Sequence, residues 1–192
     1  RLEAHHARHI VLDPVMVATS GAKLIDDDAI TALTERLFPL AEVITPNIPE
    51  TEVLLDLIAH RGASLDPAKW AEDTDRESTR IVSDTAMEDA GRTVSEHYGC
   101  AVLVKSGHGV ADASDLLYAD GVATWIHGVR VDNPNTHGTG CTLSSAIASN
   151  LAKGEALPDA IRHAKDYLTG ALGAQLNLGH GSGPMDHAWH WR

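Results

Sequence analysis

The chain has 192 residues, room for one large domain or two small ones with a substantial core. Apolar content of 43% and charged content of 22% are ordinary for a globular protein, and aromatics at 4% leave Ala, Leu, Ile and Val to build the interior. A formal net charge of -12 argues against a nucleic-acid or anionic-membrane surface, and no apolar run approaches the roughly 18 residues of a spanning helix.

The N-terminal residues 1–6 have no signal-peptide core. Two cysteines far apart, Cys100 and Cys141, give neither a disulfide framework nor a zinc pattern, and they fit a reducing cytoplasm. The 12 histidines are scattered and show no ligand spacing.

In chain order, His9-Ile10-Val11-Leu12 is a short apolar run stopped by Asp13-Pro14. It predicts a buried strand with Asp13 at its carboxyl end. A loop follows. Asp26, Asp27 and Asp28 then open a helix with Ile30, Leu33 and Leu37 on one face, closed by Pro39. Glu42-Val43-Ile44-Thr45 is the second strand, stopped by Pro46-Asn47-Ile48-Pro49. The helix after it carries Val53, Leu54, Leu57 and Ile58, with Glu50 in its first turn, where dipole compensation is the simplest account.

Residues 61–80 are polar, mixed in charge and without period, a surface excursion. Residues 84–98 resume helical spacing through Met87, Ala90 and Val94, with Gly99 as the stop. Cys100 to Lys105 form the third buried strand, ending at Ser106-Gly107-His108-Gly109, and Cys100 reads as structural. Leu116-Leu117-Tyr118 and Val122 to Ile126 flank Asp120-Gly121, a strong hairpin signal.

Residues 132–142 come next, Asp-Asn-Pro-Asn-Thr-His-Gly-Thr-Gly-Cys-Thr. A helix follows, since Leu143, Ala146, Ile147, Asn150 and Leu151 recur at helical spacing until Gly154. A last helix runs over residues 158–176, with Ile161, Ala164, Leu168, Ala171 and Leu172 inward, before a glycine-rich tail at residues 179–187.

A glycine turn feeding a helix start offers unpaired N–H groups and the positive end of the macrodipole to an anion. The same field favours a thiolate, the form in which Cys141 could act as a base. The stretch is not a Walker A loop, because no Lys follows Gly140, nor the dinucleotide fingerprint, because no third glycine falls in register. A plain tight turn accounts for Gly138 and Gly140 equally well, and a small buried hydrophobe accounts for Cys141.

The alternation of strands and helices predicts a single α/β domain over residues 1–192, a mostly parallel sheet flanked by helices. Ligands of such sheets bind beyond the carboxyl ends of the strands. Those ends carry Asp13, Thr45 with Asn47, and Lys105, on the same edge as the glycine loop. Two carboxylates, an amide, a lysine and an anion loop on one rim suggest a magnesium–nucleotide site, where positive potential has to be local in so acidic a chain.

The motifs Val11-Leu12-Asp13-Pro14-Val15-Met16, Ile44-Thr45-Pro46-Asn47-Ile48-Pro49-Glu50, Val102-Leu103-Val104-Lys105-Ser106-Gly107-His108 and residues 135–143 resemble, in order, hydroxymethylpyrimidine/phosphomethylpyrimidine kinase of thiamine biosynthesis, in the ribokinase-like superfamily. The tail at residues 179–187 is similar to the family's ending.

The resemblance implies ATP-dependent phosphorylation of a hydroxymethylpyrimidine and of its monophosphate, with ATP and Mg²⁺ as cofactors and a homodimer in the cytoplasm. It implies that Cys141 deprotonates the substrate hydroxyl and that Gly138, Thr139, Gly140 and Cys141 form the anion hole, with Thr136 beside it. Lys105 would contact the ATP phosphates, and Asp13, Asn47 and Glu50 would organise Mg²⁺ and the triphosphate, Asp13 and Glu50 as the metal-side carboxylates.

The chain departs from the family's pattern in three ways. A segment upstream of Arg1, holding opening strands and most of the pyrimidine pocket, is expected and not present, so the chain reads as the ATP-binding and catalytic two-thirds of the enzyme. In related bacteria the kinase is sometimes fused behind a thiamine-phosphate synthase, which would give an internal start. The excursion at residues 61–80 is longer than usual, and Ser106 replaces a common glycine. Two alternatives stay open: a cysteine-type pyridoxal kinase, and a truncated nucleotide-binding domain without catalysis.

Overall fold

Five short strands of mostly branched apolar residues form one sheet in the order β1-β2-β3-β4-β5. The computed structural model describes residues 1–16, 24–59, 79–106, 113–133, 137–176, 178 and 183–191. Most of the polar excursion at residues 61–80, Thr136, Gly107 to Gly109 and the first part of the glycine-rich tail lie outside the described residues.

Strands β1 (Val11–Leu12), β2 (Val43–Ile44) and β3 (Ala101–Val104) run parallel, with Leu12, Ile44 and Val102 in register. Strands β4 (Asp115–Ala119) and β5 (Val122–Ile126) are antiparallel additions. Among the described residues the sheet is thus mixed, a parallel β1-β2-β3 part extended by an antiparallel hairpin. Two local reasons explain this. The connection from β3 to β4 is shorter than the dozen or so residues that a parallel crossover needs. Asp120 and Gly121 both take positive φ, 50° and 78°, the primed two-residue turn that the Asp-Gly pair predicts.

Helices α1 (Asp27–Arg36), α2 (Ile48–Ala59) and α3 (Asp84–Tyr98) cover one face. Their Ile30, Val53, Leu54, Met87 and Val94 pack on Ile44, Val102, Val104 and Leu116. Helices α4 (Thr139–Ala152) and α5 (Leu157–Gly173) cover the other, where Leu143, Ile147, Leu151 and Ile161 meet Val43, Leu103, Leu117 and Ile126. Neighbouring strand residues thus serve opposite layers, as the pleat requires. Each fully buried Leu, Ile or Val stabilises by about 1.5–3 kcal/mol, so both layers are needed.

Several boundaries differ from the sequence expectation: β1 is confined to Val11–Leu12, and the helix expected after Thr142 begins at Thr139, so Gly140 and Cys141 lie in its first turn. Leu37 is 37% exposed because α1 ends one residue earlier, and Phe38, in a 3₁₀ turn (Phe38–Leu40) with Pro39, takes the buried place. Helix α5 stops at Gly173, short of Leu176. Helix α3 matches, with Ser83 Oγ accepting the Ala86 N–H at 3.1 Å and Gly99 ending it at φ 71°. No helix among the described residues is long and apolar enough to cross a membrane.

Candidate active site

Parallel pairing aligns the ends of β1, β2 and β3, and the alignment continues past the last strand residue. The Lys105 N–H donates to the Pro46 carbonyl at 2.8 Å, and Asn47 pairs with Lys105 in a further parallel bridge. Three side chains meet there. Asp13 Oδ1 accepts from Lys105 Nζ at 2.7 Å and from Thr45 Oγ1 at 3.1 Å. The Lys105 and Asp13 side chains are largely buried, at 15% and 12% exposure.

Helix α4 approaches this pair through Gly140. A Cβ built on Gly140 would lie 3.1 Å from Asp13 Oδ2 and 3.2 Å from Lys105 Nζ. A side chain there would oblige Asp13 or Lys105 to give by a few tenths of an ångström. Gly138 has a different task. It is the N-cap of α4 at φ 82°, a conformation that other residues reach with strain, and its carbonyl accepts the Thr142 N–H at 2.9 Å. The N-cap has no side-chain cap hydrogen bond, and among the described residues no side chain caps the positive end of α4.

Cys141 is exposed and carries a free thiol. It opens on a cavity of about 480 Å³, lined also by His137, Gly138, Thr142, Met185 and His187. The C-terminal wall of this cavity is tied to α5. The Asp186 N–H donates to the Ala171 carbonyl at 3.2 Å, and the Tyr167 hydroxyl donates to the His187 carbonyl at 3.1 Å.

Glu50 is 2% exposed and serves two backbone amides, those of Asn47 at 2.9 Å and Met16 at 3.2 Å. Asn47 Oδ1 accepts the Glu50 N–H at 2.8 Å, so the two residues close a reciprocal capping box at the start of α2. Burial raises the Glu50 carboxyl above the usual 4.5. The Asn47 amide, the Lys105 charge and the Met16 amide oppose that rise, and the Asp13 charge adds to it. Asp13, Lys105 and Glu50 therefore share one electrostatic neighbourhood.

The structure brings together Asp13, Lys105 and Gly140, sets Asn47 and Glu50 beside them, and turns Cys141 toward the cavity. Thr136 lies outside the described residues. Sequence reasoning placed Thr45 on the rim with Asp13 but missed the hydrogen bond between them, which only the fold shows. It also missed Met185 and His187 as cavity wall. No cluster of three or more His, Cys, Asp or Glu side chains among the described residues could hold a metal by itself.

A family model described as phosphomethylpyrimidine kinase matches residues 1–186. The Haemophilus influenzae hydroxymethylpyrimidine/phosphomethylpyrimidine kinase is 38% identical over 183 residues, covering 93% of the chain and 60% of that protein. Among solved structures, an ADP complex of Bacillus subtilis pyridoxal kinase superposes with a TM-score of 0.73 at 27% identity, over 99% of this chain and 63% of that one. A phosphomethylpyrimidine kinase from Clostridium difficile 630 gives 0.63 at 30% identity, over 88% and 59%. The chain spans about 60% of the length of these relatives. With nearly every residue matched and the helix start, lysine and carboxylates assembled on a ribokinase-like sheet, the chain belongs to the phosphomethylpyrimidine kinase family.

Proposed function

We propose that this chain forms the ATP-binding and catalytic part of a kinase that phosphorylates 4-amino-5-hydroxymethyl-2-methylpyrimidine and then its monophosphate. The observation that carries the reading is the approach of Gly140 to the Asp13–Lys105 pair, with the exposed Cys141 one residue further on. The name of the Haemophilus relative supports the substrate class.

The residues suit Mg²⁺ and ATP. Mg²⁺ asks for one or two protein carboxylates alongside phosphate oxygens and water. Asp13 Oδ2, which faces the start of α4, would supply one such carboxylate, and Glu50, whose two oxygens accept the Asn47 and Met16 amides, would support the ion and its waters from behind. When bound, Mg²⁺–ATP supplies the phosphoryl group and the divalent charge that neutralises it.

The rest is done by side chains and amides of the chain. The Cys141 thiolate takes the proton of the substrate hydroxymethyl group. The amides of Gly138, Thr139, Gly140 and Cys141 receive the negative charge that builds on the phosphoryl oxygens, as an uncapped helix start can. Lys105 Nζ adds a fixed positive charge beside them, held in direction by Asp13. Asn47 orients Glu50 through their reciprocal hydrogen bonds and offers its side chain to the nucleotide, with Thr136 on the opposite approach. The free thiols fit action in the cytoplasm. A homodimer is supported by the family resemblance alone.

The test is ADP release on addition of the hydroxymethylpyrimidine, measured for the chain and for Cys141→Ala. Turnover that survives the substitution unchanged overturns the role of Cys141. The likeness to the Bacillus pyridoxal kinase favours a second reading, phosphorylation of pyridoxal, which relative turnover on the two alcohols decides. A third reading is nucleotide binding without chemistry. Calorimetric ATP binding without ADP release supports that third reading.

A further inference from the structure

We propose that a buried ion pair outside the site, Lys165 with Asp115, is a positioning device for Lys105, acting through the backbone amide of Ser106. The proposal rests on the reading that Lys105 faces the phosphates.

Asp115 opens β4 and is 5% exposed; Lys165 lies on α5 and is 8% exposed. Lys165 Nζ donates to Asp115 Oδ2 at 2.5 Å and to the Ala113 carbonyl at 2.6 Å. The chain closes tightly over the ammonium group. A Cβ on Gly128, just past β5, would sit 2.7 Å from the Ala113 carbonyl oxygen and 2.8 Å from Lys165 Cε, so only glycine fits there.

The other oxygen of Asp115 does different work. Oδ1 accepts the N–H of Ser106 at 3.1 Å, and Ser106 directly follows Lys105. The Ser106 hydroxyl is buried without a hydrogen-bond partner among the described residues, so its amide is what anchors the segment. The Lys105 N–H is held from the opposite side by the Pro46 carbonyl at 2.8 Å. The peptide groups before and after the Lys105 Cα are thus both fixed, one by the β2 side and one by β4. Together they set the direction from which Nζ reaches Asp13 and Gly140.

Stability alone does not explain such a pair. Desolvating two charges can cost more than their attraction returns, and well-packed apolar residues often replace a buried pair without loss. What an apolar replacement cannot provide is an acceptor for the Ser106 N–H. Lys165 holds Asp115 in its orientation, and Asp115 holds the end of β3.

Two neutral double variants of the full chain isolate that acceptor. Asp115→Asn/Lys165→Met keeps a carbonyl oxygen for the Ser106 amide, and Asp115→Leu/Lys165→Met removes it. The first readout is the ratio of Cys141 alkylation rates with anionic iodoacetate and neutral iodoacetamide, which reports positive charge near the thiol. Cys100 is buried, so labelling of the native chain reports Cys141. The second is kcat/KM for ATP.

The Leu variant should keep its melting temperature within about 5 °C while the ratio falls about threefold and kcat/KM about tenfold. The Asn variant should hold both readouts within about twofold of the parent chain. Asp115→Ala/Lys165→Met provides a third comparison and should follow the Leu variant. Ratios that stay at the parent value in folded Leu and Ala variants overturn the proposal and leave the pair a packing feature. So does a fall of equal size in the Asn variant. If the parent chain shows no turnover, the kinase reading fails, but the alkylation ratio still decides the positioning role.

Discussion

Asp13 accepts a hydrogen bond from Lys105 at 2.7 Å, although 92 positions separate the two residues. A carboxylate committed on one oxygen to a lysine and a threonine keeps its other oxygen aimed at the start of α4. The pair therefore acts as a spacer with charge. It holds a cation beside the start of α4, with the second Asp13 oxygen facing the same helix start.

The closeness of Gly140 separates activity from stability. In Gly140→Ala the new methyl group must displace Asp13 Oδ2 or Lys105 Nζ, at 3.1 and 3.2 Å. The position is helical, where alanine is favoured over glycine by up to about 1 kcal/mol. The expected outcome is a melting temperature equal to or above that of the parent chain, with kcat/KM for ATP reduced at least about tenfold. Thermal denaturation and initial rates, measured on one preparation, check both halves.

Lys105→Met removes the cation and leaves Asp13 without its strongest partner. A fixed charge aimed at a developing phosphoryl anion is worth about 3–4 kcal/mol, so kcat should fall by a factor of about 100 to 1,000. Asp13→Asn should depress kcat as well and should also raise the Mg²⁺ concentration needed for half-maximal rate. A magnesium titration of each variant distinguishes them: the Lys105 variant should keep the parent's half-maximal concentration within about threefold.

Glu50 supplies the acid-side pH test. Its folded value is raised above 4.5, chiefly by burial. Between those two values the folded chain holds more protons than the unfolded one, so stability falls as pH rises through that window. The contribution is fully present below 4.5 and is lost as the folded carboxyl ionises. Glu50→Gln has no group to titrate, so denaturant midpoints for parent and variant should diverge against the parent as pH rises past 4.5. Parallel curves would sink this account. Glu50→Ala strands the Met16 and Asn47 amides and should cost about 2–4 kcal/mol at any pH.

Cys100 and Tyr98 supply the alkaline-side test. Burial pushes the Cys100 thiol from 9.0 to about 11 and the Tyr98 hydroxyl from 10.0 to about 12. Stability is intact below 9 and is lost as pH rises toward 11 and 12. Cys100→Ala should flatten the first part of that decline, as read from urea midpoints at pH 8, 9.5 and 10.5. At pH 8, a thiol reagent should titrate one cysteine quickly, Cys141, and the second only on unfolding.

Much of the fold was legible in the residues. Periodicity located α3 to the residue, with Gly99 as its stop, and the Ser83 cap was seen only in the structure. The Asp120-Gly121 turn was equally plain. The balance of parallel and antiparallel pairing was less so, since it depends on the length of the β3–β4 connection rather than on any motif. At the site, Asp13, Lys105 and Gly140 could be placed on one rim by topology. That Gly140 is a close-approach glycine, whereas Gly138 is a conformational one, could not: two identical letters do different jobs, and only neighbours distant in sequence tell them apart. The Lys165–Asp115 pair was invisible for a related reason. A lysine on a helix and an aspartate opening a strand each look like ordinary surface residues until the fold buries them together.

The groups around Asp13 come from β1, β2, β3 and the beginning of α4, and run from Asp13 to Gly140. No excised segment can own half of such an assembly. A nucleotide seated there therefore bears on the folding equilibrium of the entire domain at once, and its affinity should be readable as a ligand-dependent rise in global melting, growing with the logarithm of its concentration.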